Sequence, residues 1–288
     1  MTSTARSRRS VGAKARRGAA VTLASAGLAA VAACGTGTGT GAGDAVGGDA
    51  GGRTGSAGTE TPTIQTVLLA AAVRAAGEHT ADTSVDCRKV KCVALTFDDG
   101  PGEYTDEVLS HLAAYRARAT FFVVGQNVAA NPGVVRRTAK AGHEIGNHSW
   151  SHRNLTTLSA AGLRADLNRT SQAIKAATGT APKVMRPPYG AFNDTVRRNS
   201  PLPVVLWSVD TEDWRYRDSA RVVRKAKSVG PGGVILFHDI HPTTVKAIPQ
   251  VLEALSARGY RFVTVSQLFG GKPPKVVYSG GPAAAAAL

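Results

Sequence analysis

From residue 91 onward, short apolar runs alternate with longer amphipathic stretches, and this alternation restricts the fold more than any other feature. The apolar runs have the length and residue content of β-strands, and they cover 92–97, 119–124, 144–147, 183–186, 204–209, 234–237 and 262–265. The stretches between them have the spacing of helices, and they cover 106–116, 133–141, 160–177, 194–199, 219–228 and 245–258. Strands that alternate with helices pair in parallel, because each helix returns the chain to the same end of the sheet. The sequence therefore predicts an α/β fold with a closed or nearly closed parallel barrel.

The composition changes along the 288 residues and divides the chain into four regions. Residues 1–33 combine a basic start with an apolar run that is short for a membrane span, which is typical of a signal peptide. Residues 34–85 are dominated by Gly, Thr and Ala and are predicted to be a flexible tether. Residues 86–270 are long enough for one domain with a sizeable core. Residues 271–288, rich in Gly, Pro and Ala, are predicted to be a disordered tail.

The cysteines indicate an exported protein. The run Val31-Ala32-Ala33-Cys34 resembles the lipobox of bacterial lipoproteins, in which the signal is removed before a cysteine that then carries lipid. The alternative is a secreted protein in which Cys34 is incidental, and the arginine pairs leave general secretory and twin-arginine export both open. If Cys34 is lipidated, Cys87 and Cys92 remain, and in an oxidising compartment we expect a disulfide rather than two free thiols. The expected location is the outer face of the cytoplasmic membrane, or the cell wall after secretion.

The chain is strongly basic, with a formal net charge of +15 that is only partly explained by the basic start of residues 1–33. Such a charge favours nucleic acid, an anionic lipid surface or an anionic wall polymer as a partner. The sequence has no helix-turn-helix, zinc-finger or RNA-binding motif, so we expect no nucleic-acid partner. The protein is expected to be a monomer.

Five polar segments lie at or just after the carboxyl ends of predicted strands. They are TFDDGP at 96–101, HSWSH at 148–152, RPPYG at 186–190, DTEDW at 210–214 and LFHD at 236–239. Barrel enzymes assemble their active sites on this face, so the five segments are expected to converge. Together they contain metal ligands, a base, an acid, an arginine and apolar walls, which is the inventory of metal-assisted hydrolysis.

The histidines and aspartates of these segments suit a divalent metal. His148 and His152 are four residues apart, so on a helical turn both imidazoles face one side. Asp98 and Asp99 are neighbours at a strand end and point in different directions, so they can take different roles. Two histidines and one carboxylate suit Zn²⁺ and are also used by other divalent ions. The structural alternatives are a surface turn for the histidines and an Asx turn before Gly100 for the aspartates.

All five segments, in this order, resemble the motifs of the polysaccharide deacetylases, carbohydrate esterase family 4, over about residues 92–269. The resemblance implies a distorted, incompletely closed (β/α) barrel of about seven parallel strands. It also implies a metal-dependent hydrolase that removes acetyl groups from a polysaccharide. It assigns the catalytic base to Asp98 and the metal to Asp99, His148 and His152. Zn²⁺ is the expected ion, with Co²⁺ or another divalent ion as the alternative.

The resemblance assigns roles to the remaining motif residues as well. Arg186 pairs with Asp98 and keeps it ionised. His238 is the catalytic acid, because a histidine suits proton donation to a departing amine, and Asp213 tunes it. Tyr189 supplies a backbone N–H to the oxyanion.

An apolar pocket for the acetyl methyl group is assigned to Trp214 and Leu236, for which ordinary core packing is the structural alternative. Asp210, Asp239 and His241 also match the family pattern, but no direct role is assigned to them.

The motifs specify the reaction more closely than the substrate. The resemblance allows peptidoglycan, chitin-like oligomers or the O-acetyl groups of xylan. A lipid anchor and a basic domain favour an N-acetylglucosamine polymer of the cell wall, with acetylxylan as the alternative. A catalytically silent glycan-binding protein is expected to lack a metal ligand, the base or the acid, and all of these are present here.

Overall fold

Parallel strands surrounded by helices form the part of the chain that the computed structural model describes, residues 85–277. The predicted signal peptide, Cys34 and the tether up to residue 84 lie outside the described residues. Within the described part, no helix combines the length and apolar character needed to cross a bilayer. Cys87 and Cys92 form a disulfide that ties the preceding turn to the first residue of the first strand.

The strands are β1 Cys92–Asp98, β2 Ala119–Val123, β3 Glu144–Asn147, β4 Val204–Val205, β5 Val209–Asp210, β6 Gly233–His238, β7 Arg261–Phe262 and β8 Val276–Val277. The α-helices are α1 Thr105–Ala114, α2 Gly125–Ala130, α3 Pro132–Lys140, α4 Ala160–Thr178, α5 Asp194–Asn199, α6 Asp213–Tyr216, α7 Ser219–Ala226, α8 Pro242–Ala257 and α9 Val265–Leu268. Short 3₁₀ turns cover Leu155–Thr157 and Pro188–Gly190.

The strand order is β3-β2-β1-β6-β5, with β7 also paired to β1, and β4 pairs separately with β8. Every pairing is parallel. Met185 bridges Asn147 at the end of β3 to Val204 in β4, which links the two groups of strands. The predicted parallel α/β fold is confirmed. Among the described residues, the pairing does not continue from β5 back to β4.

Alternating residues of the central strands pack on opposite faces of the sheet, as the two-residue period of a strand requires. Leu95 and Phe97 of β1 pack with Ile235 and Phe237 of β6 against the helices. Ala94 and Val234 face the other way, into a second apolar cluster. Asp98 and His238 continue this inner face at the carboxyl ends of β1 and β6, where they are directly paired in the register.

Three predicted strands differ from the structure. The run 183–186 forms only the bridge at Met185. The run 204–209 divides into β4 and β5, because the Arg186 side chain takes the carbonyl groups of Val205 and Leu206. The run 262–265 is a strand only at Arg261–Phe262, since Thr264 caps α9 through a reciprocal pair of hydrogen bonds with Gln267.

The predicted disordered tail also differs from the structure, at Val276–Val277. These residues form β8, in which the Val277 carbonyl accepts from the Leu206 N–H at 2.8 Å. The Val277 side chain is buried in the inner apolar cluster. Burial of Val277 and partial burial of Val276 against β4 outweigh the disorder that the surrounding Gly, Pro and Ala residues favour. The rest of the predicted tail, from 278, lies outside the described residues.

Candidate active site

Asp98 is held by a buried arginine at the end of β1. Arg186 donates from Nη1 to Asp98 Oδ1 at 2.8 Å and from the same nitrogen to Thr96 Oγ1 at 2.8 Å. Its Nε and Nη2 donate to the carbonyl oxygens of Val205 and Leu206 at 3.1 and 2.9 Å. Because Arg186 is completely buried, these four bonds satisfy a charge that is costly to desolvate. They also fix the orientation of the Asp98 carboxylate.

Asp99, His148 and His152 bring one donor atom each to within 4.8 Å of one another. The distance from Asp99 Oδ1 to His152 Nε2 is 3.1 Å, and to His148 Nε2 it is 3.4 Å. His148 Nδ1 is hydrogen-bonded to the Arg186 carbonyl at 2.7 Å, which turns its other nitrogen towards Asp99. Arg186 therefore positions two neighbours, His148 through its backbone carbonyl and Asp98 through its side chain.

The histidines do not share a helical turn, so that part of the prediction is wrong. The segment after β3 is a loop in which Ser149 and His152 have left-handed φ values of 65° and 54°. This loop brings the two imidazole rings to a centroid distance of 5.0 Å. The physical reason is that spacing alone does not distinguish a helical turn from a loop with two left-handed residues.

The donor set fits a divalent cation. Asp99 Oδ1 is buried and has no hydrogen-bond partner among residues 85–277, although two imidazole nitrogens surround it. Burial raises the pKa of Asp99, but His148, His152 and His238 outweigh this and lower it to about 2. Burial lowers the pKa of His152. An ionised carboxylate and neutral imidazoles are the forms that bind metal.

His238 lies across the site at the end of β6 and is paired with Asp213. Its Nδ1 is 2.8 Å from Asp213 Oδ1, and its backbone N–H donates to Asp213 Oδ2 at 2.7 Å. Thr244 Oγ1 also donates to Asp213 Oδ2 at 2.7 Å, so the carboxylate is fully engaged. The free nitrogen, Nε2, lies 4.0 Å from Asp99 Oδ2.

The pair with Asp213 makes His238 a cation at neutral pH. Burial lowers the pKa of His238, but the hydrogen bond and charge of Asp213, with Asp98 and Asp99, raise it to about 9. Burial raises the pKa of Asp213, and its bonds to His238 and Thr244 lower it to a net value below the ordinary one. A protonated imidazole with Nε2 turned into the site is a proton donor.

Comparison with known proteins decides the family. Residues 86–201 match the sequence profile of the family described as polysaccharide deacetylase. A T48 deacetylase whose structure was solved with substrate is 46% identical, with a TM-score of 0.66, and the match covers 68% of this chain and 100% of that one. The chain belongs to the polysaccharide deacetylase family.

Two further members of the polysaccharide deacetylase family are named by their activities. Peptidoglycan-N-acetylglucosamine deacetylase PgdA of Listeria monocytogenes is 44% identical over 184 residues, which are 63% of this chain and 40% of that protein. A family 4 acetyl xylan esterase of Clostridium thermocellum, solved with a cobalt ion, is 36% identical at a TM-score of 0.63, and the match covers 67% of this chain and 100% of that one. The chain thus spans about 40% of the length of the first curated relatives.

The other family-assigned residues border the same site of this deacetylase-family chain. Tyr189 is 71% exposed, and its ring lies edge-on to His152 at a centroid distance of 4.7 Å. Trp214 follows Asp213 and is 48% exposed, which differs from ordinary core packing. Leu236 is 3% exposed and lies two residues before His238 on the inner face of β6.

Five of the seven non-glycine residues with positive φ in the described chain lie in the family motifs. They are Asp99, Ser149, His152, Tyr189 and Glu212, with φ between 54° and 73°. Such conformations cost free energy in residues other than glycine and concentrate at functional sites. In this chain they turn the backbone at the points where site side chains must converge.

Sequence reasoning missed the roles of Thr96, Thr105 and Thr244, and it left Asp239 without one. Asp239 is completely buried, and its Oδ2 accepts from Thr105 Oγ1 at 2.5 Å. Burial raises the pKa of Asp239 to about 7. A Cβ on Gly100 would lie 2.7 Å from Asp239 Oδ1, so only glycine at position 100 of the first motif leaves room for the Asp239 carboxyl group. Gly100 and Asp239 stand in the quoted motifs, whereas the threonine contacts connect distant segments and leave no local signal.

Proposed function

We propose that this chain is a metal-dependent hydrolase that removes N-acetyl groups from N-acetylglucosamine residues of a cell-wall polysaccharide and releases acetate. The observation that carries the proposal is the convergence of three units around Asp99. These units are the metal-ligand set, the Asp98–Arg186 pair and the His238–Asp213 pair. Hydrolysis of an unactivated amide needs all three functions: activation of water, a base and an acid.

Asp98 is proposed as the base. Its Oδ1 is taken by Arg186, while its Oδ2 lies 3.7 Å from His148 Nε2 and therefore faces the metal-ligand set. Asp98 accepts the proton of the water that attacks the acetamide carbonyl. Arg186 orients the carboxylate through the 2.8 Å hydrogen bond from its Nη1.

His238 is proposed as the acid. An amine is a poor leaving group unless its nitrogen is protonated as the C–N bond breaks. His238 Nε2 faces the site, and Asp213 holds the proton on the ring until it is transferred. Asp98 and His238 are paired across β1 and β6, so a substrate between them meets the base and the acid together.

Asp99, His148 and His152 are proposed to hold a divalent cation, Zn²⁺ first and Co²⁺ or another ion second. When bound there, such a cation would polarise the acetamide carbonyl and lower the pKa of water. Tyr189, which borders His152, is proposed to supply a backbone N–H to the developing oxyanion, where a preorganised donor has its largest effect. Trp214 and Leu236 are proposed to enclose the acetyl methyl group.

The proposed substrate is peptidoglycan or a chitin-like oligomer. The support is the activity for which the Listeria relative is named, the basic charge of the chain and the predicted lipobox at Cys34, which favour a place beside the cell wall. We propose that the protein is exported, anchored through Cys34 and monomeric.

Acetate release by the purified full chain from peptidoglycan, chitohexaose and acetylxylan tests the substrate. We expect release from at least one of the two N-acetylglucosamine polymers at a higher kcat/KM than from acetylxylan. Activity confined to acetylxylan would show that the site is an O-acetyl esterase, for which the Clostridium relative is the precedent.

A further inference from the structure

An exposed segment, Trp214, Arg215, Tyr216 and Arg217, directly follows the carboxylate that holds the proposed acid. We call residues 214–217 the basic rim. Asp213 immediately precedes the basic rim and is fixed by three hydrogen bonds from His238 and Thr244. The position of the basic rim is therefore set relative to His238 rather than left to a free loop.

The basic rim is firmly built although it is exposed. Left-handed residues stand on both sides of helix α6, Glu212 with φ 55° and Arg217 with φ 51°. Neither is a glycine, so surrounding contacts must maintain these conformations. Glu212 is bound by Arg221, whose guanidinium also lies 3.9 Å from the ring centroid of Tyr216. Arg221 thus ties the residue before the helix to an aromatic ring within the rim.

Two arginines of the basic rim are open to an anion. Arg215 and Arg217 are exposed, and neither forms an ion pair within residues 85–277. The three acids of the same stretch, Glu212, Asp213 and Asp218, already accept hydrogen bonds from other side chains or from helix N–H groups. Glu212 and Asp213 are already paired with cations, so Asp218 is the one acid of this stretch that remains to offset the two arginines, and the rim keeps a net positive charge.

The charge of Arg217 acts at the mouth of the site. His241 lies beside the proposed acid, with its ring centroid 5.9 Å from that of His238. Burial lowers the pKa of His241, and the positive charge of Arg217 lowers it further. Arg217 directly follows the four-residue helix that begins at Asp213, so an anion bound by Arg217 would lie about one helical turn from the His238–Asp213 pair.

We propose that the basic rim binds a carboxylate on the sugar adjacent to the reacting N-acetylglucosamine, so that the enzyme prefers an acidic glycan to a neutral one. This inference rests on the proposed deacetylase function. A guanidinium matches a carboxylate in charge and in its paired hydrogen-bond geometry. The ring of Tyr216, which is 45% exposed, offers apolar surface for the sugar that carries the carboxylate. In peptidoglycan this carboxyl group is free only where the stem peptide has been removed, and chitin carries no such group, so the preferred glycan would be a peptide-free peptidoglycan strand.

The test compares two tetrasaccharides with the purified full chain and measures acetate release. One alternates N-acetylglucosamine with N-acetylmuramic acid, and the other is chitotetraose. The variant is Arg217→Gln, and the matched control is Arg116→Gln. Arg116 is also exposed and left-handed, with φ 49°, but it lies before β2, at the opposite end of the sheet.

We expect the ratio of kcat/KM for the acidic over the neutral tetrasaccharide to fall about tenfold in Arg217→Gln, the size of one charge-assisted hydrogen bond. The ratio should not change in Arg116→Gln. Amidation of the glycan carboxylates repeats the test on the wild-type chain without any substitution, and it should lower the rate on the acidic glycan by a similar factor.

An unchanged ratio in Arg217→Gln, with wild-type rates on the amidated glycan, would overturn the inference and leave the deacetylase proposal intact. Absence of acetate from both tetrasaccharides with the metal-loaded wild-type chain would instead overturn the proposed function, and the inference with it.

Discussion

Replacing Asp213 by asparagine should change the pH dependence of the reaction rather than only its rate. The substitution Asp213→Asn keeps the size of the side chain and removes the charge that holds His238 protonated. Burial lowers the pKa of His238, and Asp213 provides the largest of the interactions that raise it to about 9. Without that carboxylate, burial is opposed only by Asp98 and Asp99, so the pKa of His238 should fall to its ordinary value of 6.5 or below.

The size of the effect follows from the protonated fraction of His238. At pH 8, about 90% of the imidazole is protonated with the wild-type pKa and about 3% with a pKa of 6.5, which gives a loss of about 30-fold. At pH 6, His238 is mostly protonated in the wild-type chain and in the variant, so the loss of rate from the lowered pKa is about twofold or less. The alkaline limb of kcat/KM should therefore move by about two pH units or more towards acid. A cation bound at Asp99 would lower the pKa of His238 in the wild-type chain and in the variant alike, so the alkaline limb of the variant still lies on the acid side of the wild-type limb.

The assay is acetate release between pH 5 and 10, with metal content measured in parallel for each variant. Asp194→Asn is the control, because Asp194 is an exposed acid on α5 that pairs with Arg197. We expect an unchanged profile in the control. An equal loss at all pH values in Asp213→Asn, with the alkaline limb unmoved, would refute the assignment of His238 as an acid held protonated by Asp213.

Three further substitutions separate the roles of the remaining groups. Asp98→Asn should retain the metal and lose about 10²- to 10⁴-fold in kcat, and wild-type turnover would show that Asp98 is not the base. His148→Ala should lose bound metal and activity together in metal analysis and acetate assays, whereas retained metal would remove His148 from the ligand set. Gly100→Ala should lower the free energy of unfolding by about 1–3 kcal/mol in denaturant titrations, because its Cβ would lie 2.7 Å from Asp239 Oδ1. An unchanged midpoint would mean that Asp239 moves aside without cost.

The sheet could be predicted from the sequence because its signals are local. β1, β3 and β6 are apolar runs whose bounds agree with the predicted ones to within a residue or two. The short strands were harder, because their ends depend on distant partners. Arg186 divides the run 204–209 by taking two of its carbonyl groups, and no local pattern reports this.

The site residues could be named from their motifs, but their arrangement could not. The separation of four residues between His148 and His152 indicated a common side for both rings, and the structure achieves this with a left-handed loop instead of a helical turn. The threonines that hold Asp213 and Asp239 come from segments far along the chain. These threonines reach the aspartates only in the folded chain, so no short sequence pattern predicts the contacts.

Metal-dependent acetate release tests the central claim most directly, namely that Asp99, His148 and His152 hold a cation between the proposed base and the proposed acid. The purified full chain is assayed on N-acetylglucosamine oligomers before chelation, after chelation, and after addition of Zn²⁺ or Co²⁺. We predict that the activity of the wild-type chain disappears on chelation and returns with metal. In His148→Ala, added metal should not restore activity. Full activity in the chelated, metal-free chain, or no release with either metal, would contradict the central claim.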